Sequence, residues 1–180
     1  MNEIMNELIE EIQKDISKNG LYDIVILDSV LNSITSLEMQ HNVLLACNSL
    51  LKDNGTLILG TRSLGKATTT MKSKQATNRK RDIEFLDDEK FSVTFRNGVW
   101  TKQRFTTKKQ LQQELMPYFK DIETLGNETR SNIYAICKNP VRFSNEEYKK
   151  ALNIEFNMTY PNGFKHNKHS ELINTILTNL

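Results

Sequence analysis

The sequence predicts an α/β domain with a mostly parallel sheet that ends in an antiparallel hairpin. Two apolar runs, YDIVILD (22–28) and TLILGTR (56–62), have the composition of strands buried on both faces of a parallel sheet. A helical pattern at 37–52 separates them, and strand, helix and strand in this order are typical of a right-handed crossover unit. The β-rich runs IETLG (122–126) and NIYAICK (132–138) follow with a short link and predict the closing hairpin.

The elements around this first unit have their own local signals. Residues 3–18 place apolar side chains at helical spacing and predict an amphipathic helix, which ends at Asn19-Gly20 because glycine suits a left-handed cap. Ser36 is the expected N-cap of the helix at 37–52. After the second strand, residues 65–81 are polar and basic and contain no acid, which predicts a mobile loop or a short irregular helix.

The next signal is a β-hairpin inserted at 91–105, where FSVTFR and VWTKQRF flank Asn97-Gly98. The helix KKQLQQELMPYF comes after it and has Thr106 or Thr107 as its expected cap.

The closing hairpin is followed by a region of helical character. Ser144 and Glu147 have the spacing of a capping box, which predicts a helix to about Phe156. A turn-rich loop at 159–169 and a last helix complete the chain. We therefore expect an α/β domain at 1–139 and a helical extension at 140–180.

The composition is that of a globular domain, with 38% hydrophobic and 26% charged residues in a chain of 180. A formal net charge of +2 implies no obligatory polyanionic partner. Cys47 and Cys137 lie in apolar runs, so we expect buried reduced thiols and a cytoplasmic location. No apolar run is long enough to predict a membrane span.

The residues YDIVILDSVLNS (22–33), the helix after them and LLKDNGTLILGTR (50–62) resemble the second half of a class I S-adenosylmethionine-dependent methyltransferase. The resemblance implies a Rossmann-like sheet of strands four to seven. It also implies S-adenosylmethionine as the cofactor and methyl transfer as the reaction. More narrowly, DSVLNS (28–33) and the tail at 151–169 resemble methyltransferase domains of phage and mobile-element proteins, often fused to a ParB-like domain.

The cofactor site of that family is built mainly on strands one to three, with a glycine-rich turn after strand one. This sequence contains no G-x-G pattern, and we expect it to lack the N-terminal cofactor-binding half, as in a truncation, a split gene or a degenerate copy. Such a chain is active only if that half is supplied in trans. The other interpretation is a non-catalytic methyltransferase-like binding or scaffolding module.

A half-sheet of this kind leaves the edge of the strand at 22–28 without a neighbour, and unpaired edges invite association. The sequence therefore predicts one of three outcomes. The chain forms a homodimer through that edge, the helix at 3–18 covers the edge, or the protein has poor solubility.

The candidate site lies just past the first strand, at the edge where open α/β sheets bind ligands. Asp28 and Asn32 are the expected catalytic residues, with Asp28 orienting an amine or acting as a base. Ser29 and Ser33 are expected to bind substrate. The alternative is that residues 29–36 only shape the strand exit and cap the next helix. The loop is not the Asn/Asp-Pro-Pro-Tyr type that grips a flipped base, which disfavours a nucleobase acceptor.

Two further substrate-binding candidates lie elsewhere. Arg62 follows the second strand at the same sheet edge and either clamps a carboxylate or phosphate or is a solvated strand end. Trp100 lies on the second arm of the inserted hairpin and either lines a substrate pocket or packs in a core.

Basic residues at 66–81 either contact nucleic-acid phosphates or form a solvated loop. His166 and His169 have only Glu171 nearby as a third ligand, so no metal site is expected.

Overall fold

The computed structural model describes residues 2–72, 82–88, 90–96, 98–157, 159, 163 and 169–180. Its helices are α1 (Asn2–Asn19), α2 (Leu37–Ser49), α3 (Leu64–Lys72), α4 (Lys108–Leu115), α5 (Asn145–Asn157) and α6 (Ser170–Thr178), with a 3-10 turn at Leu31–Ser33. Its strands are β1 (Tyr22–Asp28), β2 (Leu51–Arg62), β3 (Asp82–Phe85), β4 (Phe91–Arg96), β5 (Val99–Arg104), β6 (Phe119–Leu125) and β7 (Asn132–Pro140).

The central sheet has the strand order β1-β2-β7-β6 and makes the fold mixed α/β. Strands β1 and β2 pair in parallel through the crossover helix α2, as predicted. Strand β7 lies between β2 and β6 and is antiparallel to both, so β1, β2 and β6 all run in one direction. The parallel unit and the closing antiparallel pair are therefore both present.

A second sheet, here called the hairpin sheet, contains β3, β4 and β5. The predicted hairpin is confirmed: β4 pairs with β5 in antiparallel register, with Phe95 opposite Trp100. Strand β3 was not predicted, and it extends this sheet by pairing with β4. Lys102 Nζ donates to the carbonyl of Thr35 (3.0 Å), which joins the hairpin sheet to the loop after β1.

Local capping predictions are confirmed. Gly20 has φ +76° after α1, and Ser36 accepts a hydrogen bond from the Met39 amide at the start of α2. Thr107 forms a capping box with Gln110. At the start of α5, Ser144 Oγ accepts from the Glu147 amide, and the Glu147 carboxylate accepts from the Ser144 amide.

One boundary prediction is wrong. The helix expected at 37–52 ends at Ser49, because Leu51 already pairs with Tyr22 and begins β2. Of the two alternatives predicted for 65–81, a mobile loop or a short helix, the structure has a short helix, α3, at 64–72, with Ser63 Oγ accepting from the Lys66 amide and Ala67 buried. The rest of the predicted basic loop, 73–81, is outside the described residues, as is most of the loop at 159–169.

The core lies on one face of the central sheet. Leu57 and Leu59 of β2 and Ile133 and Ala135 of β7 are fully buried on that face, together with side chains of α2 and α4. Helix α5 contributes Tyr148 to the same core, so the predicted extension is packed onto the α/β domain. A neighbouring cluster joins α1 and α6 through apolar contacts. Cys47 and Cys137 are buried and free, as expected.

The opposite face, here called the open face, remains accessible to solvent in the described structure. Ile24 and Ile26 of β1 are 56% and 69% exposed, and Leu125 and Tyr134 are also exposed. The prediction that β1 is buried on both faces is therefore wrong, because its apolar run meets a packed layer on one side only. None of the described helices combines the length and apolarity that a membrane crossing requires.

Candidate functional site

The carboxylate of Asp28 lies over Gly60 at the end of the paired strands β1 and β2. In the register of the sheet, Asp28 is opposite Gly60, which is opposite Tyr134. A Cβ added to Gly60 would collide with Asp28 Oδ1 and lie 3.1 Å from the Tyr134 ring. Gly60 therefore makes room for a solvent-exposed carboxylate above the sheet, beside an aromatic ring.

Ser29, directly after β1, adopts a left-handed backbone conformation with φ +59°. A non-glycine residue rarely occupies this region, and such residues concentrate at functional sites. The Ser29 amide donates to the carbonyl of Gly60 (2.9 Å), and Ser29 Oγ donates to Asp28 Oδ1 (3.2 Å). The turn thus holds the hydroxyl and the carboxylate together at the sheet edge.

The remaining loop candidates continue this hydrogen-bonded chain but differ in exposure. Ser33 Oγ reaches the carbonyl of Ser29 (3.5 Å), and Asn32 Nδ2 donates to Ser33 Oγ (3.3 Å). Ser33 is exposed, whereas Asn32 is only 4% exposed and its Oδ1 has no hydrogen-bond partner. Asn32 thus stabilises the loop from its buried side. Its catalytic role stays a prediction.

Arg62 lies two residues beyond Gly60, on the same face and at the same end of β2. It is half-buried, and its Nη1 donates to Asn132 Oδ1 (3.0 Å) across the β2/β7 pair. Because Arg62 and Asp28 flank Gly60 on the open face, the sheet edge presents a cation and an anion together. Such an edge can bind a polar acceptor and orient its reacting group.

A partly buried ion pair holds the loop after β1 in place. Arg104 of β5 makes a bidentate contact with Glu114 of α4, at 3.0 and 2.5 Å, and also donates to Gln40 Oε1 (3.0 Å). Gln40 Nε2 in turn donates to the carbonyls of Leu31 and Ile34. The hairpin sheet is therefore linked through Gln40 to the 3-10 turn beside the candidate site.

Trp100 lies away from this group. It is 54% exposed on the hairpin sheet, where its ring packs against Phe95 at 5.1 Å between centroids. Packing in a core is therefore wrong for Trp100, because more than half of the residue is exposed to solvent. A role in substrate binding stays a prediction.

Several predicted features rest on residues outside the described set. Of the basic residues proposed to contact nucleic acid, Lys66 and Lys72 lie on α3 and the others are not described. His166 is likewise outside, whereas His169 is buried and packs edge-on against Phe156. Among the described residues, no group of three or more His, Cys, Asp or Glu is placed to hold a metal ion.

Gly60, Tyr134 and Asn132 are the site residues that the sequence did not reveal. A glycine inside a strand often marks a place where another group lies close to the backbone, so the sequence could have indicated Gly60. Tyr134 and Asn132 carried none, because only the antiparallel register of β7 brings them beside β2.

Among solved structures, the chain is similar to the PH0226 protein from Pyrococcus horikoshii OT3, with 17% sequence identity and a TM-score of 0.47. The similarity covers 67% of this chain and 55% of that one, so it spans little more than half of that protein's length. No protein-family model matches the chain. No curated protein matches it either.

Proposed function

We propose that this chain is the substrate-binding half of an S-adenosylmethionine-dependent methyltransferase-like fold. The observation that carries the proposal is the strand order β1-β2-β7-β6, with one antiparallel strand between two strands of the opposite direction. Strands β1 and β2 correspond to strands four and five of the resembling family, and β6 and β7 to its closing hairpin. The narrower likeness to phage and mobile-element methyltransferases stays a prediction.

Cofactor binding in this proposal requires a second half that pairs with β1. Strand β1 is the edge of the central sheet, and its Ile24 and Ile26 are exposed on the open face. An apolar edge strand of this kind offers both backbone hydrogen bonds and apolar surface to a partner. The half that carries strands one to three supplies the glycine-rich turn that this sequence lacks.

In this proposal, the residues at the sheet edge have separate roles in binding and activating the methyl acceptor. Asp28 accepts a hydrogen bond from the methyl acceptor, or takes its proton, while Ser29 orients the carboxylate. Arg62 binds an anionic group of the acceptor. S-adenosylmethionine, when bound by the complete fold, supplies the methyl group.

Calorimetric titration of the purified chain with S-adenosylmethionine tests the division into halves. We expect no saturable binding by the chain alone. Co-expression with the product of an adjacent reading frame that encodes a strand, a glycine-rich turn and a helix should give a complex that binds the cofactor. In that complex, Asp28→Asn should lower the rate of methyl transfer at least about 100-fold, the lower range for a general base.

Asp23→Asn is the matched control, since it makes the same change at the other end of β1, where Asp23 pairs with Lys52 on the surface. It should leave the rate within about twofold, since exposed pairs contribute little. Micromolar binding of S-adenosylmethionine by the chain alone would overturn the requirement for a second half. Equal rates for Asp28→Asn and Asp23→Asn would remove Asp28 from the reaction.

A further inference from the structure

A second concave site lies on the covered side of the central sheet, away from the open face. The cavity has a volume of about 600 Å³ and is bounded by α1, α2, the loop after β1 and the end of α5. This volume is within the range of pockets that hold small-molecule ligands, roughly 300 to 1,000 Å³. Its walls are mostly apolar and include Val30, Met39, Val43, Leu50, Ile154 and Phe156.

One wall residue has an unsatisfied polar group. Asn42 lines the cavity and is 5% exposed, and its Nδ2 has no hydrogen-bond partner. A buried donor without a partner destabilises a fold by about 1 to 3 kcal/mol, so native proteins rarely leave one. An acceptor in the cavity would satisfy this amide.

The other polar groups restrict the charge of an occupant. Burial raises the pKa of the Cys47 thiol to about 12, and Glu155 adds to that rise, so Cys47 is neutral at physiological pH. Burial also raises the pKa of Glu155. The same burial disfavours an ionised carboxylate on a ligand, and a negative charge on Glu155 would disfavour it further.

We infer that this cavity binds an uncharged, mostly apolar molecule whose single hydrogen-bond acceptor pairs with Asn42 Nδ2. A medium-chain alcohol has this chemistry: its chain contacts the apolar walls and its hydroxyl oxygen accepts from the amide. The cavity meets the proposed substrate edge only at Ser33, so this site does not depend on methyl transfer.

Calorimetric titration of the full chain with 1-decanol tests the inference, with decanoate as the charged analogue. We expect saturable binding of one decanol per chain and at least tenfold weaker binding of decanoate. Asn42→Leu keeps a similar volume and removes the donor, and it should weaken decanol binding about fivefold to tenfold. Val43→Phe fills the cavity and should abolish binding.

Val99→Phe is the control for Val43→Phe, because it adds the same aromatic ring on the exposed arm of the hairpin sheet. It should bind decanol like the parent chain, and thermal unfolding should show that all variants are folded. Absence of saturable decanol binding to the parent chain would overturn the inference. Decanol binding that survives Val43→Phe, or decanoate binding as tight as decanol binding, would also overturn it.

Discussion

Asn48 is fully buried in α2 and connects three separate parts of the core through its side chain. Its Nδ2 donates to the carbonyl of Tyr118 (2.9 Å), and its Oδ1 accepts from the Tyr148 hydroxyl (2.5 Å). That hydroxyl also accepts from the Phe143 amide (3.1 Å). Each bonded group is satisfied only while all three segments are in place, so the network specifies one packing of α5 on α2.

The change Tyr148→Phe tests this network. It removes one hydroxyl and leaves both Asn48 Oδ1 and the Phe143 amide without that partner, which should lower the free energy of unfolding by about 1 to 3 kcal/mol. Urea denaturation measures the loss. Tyr134→Phe removes the same atom from an exposed ring on the open face and should cost less than about 0.5 kcal/mol. Equal losses in the two variants would contradict the role of the network.

At the scale of elements, the ion pair between Arg104 and Glu114 connects the hairpin sheet to α4. Arg104 is 5% exposed, and the Glu114 side chain is 31% exposed, so the pair is buried on one side only. The two cation–ring contacts of Phe91, with Lys102 and Arg104, lie on the same face of the hairpin. Together these contacts orient the hairpin toward the loop after β1.

Replacing Glu114 with alanine should lower the free energy of unfolding by about 2 kcal/mol. This is less than the roughly 3 to 5 kcal/mol seen when a fully buried pair is broken, because water reaches the Glu114 carboxylate. The double variant Arg104→Met, Glu114→Leu should recover most of the loss, since it removes both charges. Chemical denaturation of the three proteins measures the effect. A double variant less stable than Glu114→Ala would contradict this explanation.

Elements with strong local signals could be predicted from the sequence. Ser36, Thr107 and Ser144 were identified as caps because a capping hydrogen bond spans only three residues. Contacts between distant residues could not be predicted. Tyr148, one of the two partners of the Asn48 side chain, is 100 residues away. The exposure of Ile24 and Ile26 depends on which layers cover the sheet, which an apolar run does not encode.

At the scale of the whole molecule, the two faces of the central sheet differ. Helices pack on one face, whereas apolar side chains are exposed on the other. We expect the open face to associate with other chains. The variant Ile26→Lys places a charge at a side chain that is 69% exposed, so the free energy of unfolding should change by less than about 0.5 kcal/mol. Sedimentation velocity should show concentration-dependent association of the parent chain that this variant lacks.

Val99→Lys makes the same kind of change at an exposed position of the hairpin sheet and should associate like the parent chain. If the parent chain sediments as a monomer at all concentrations, the open face does not drive self-association. If Val99→Lys also abolishes association, the hairpin sheet rather than the open face is the contact.

The position of β7 between β2 and β6 also affects when the central sheet can form while the chain is being synthesised. Strand β6 leaves the ribosome before β7, yet its ladder partner in the central sheet is β7. Residues 119–125 therefore have no ladder partner until 132–140 have emerged, and the pairing of β7 with β2 then closes a loop from Thr56 to Lys138. A ribosome stalled between these two strands would carry a chain whose sheet is only β1 and β2.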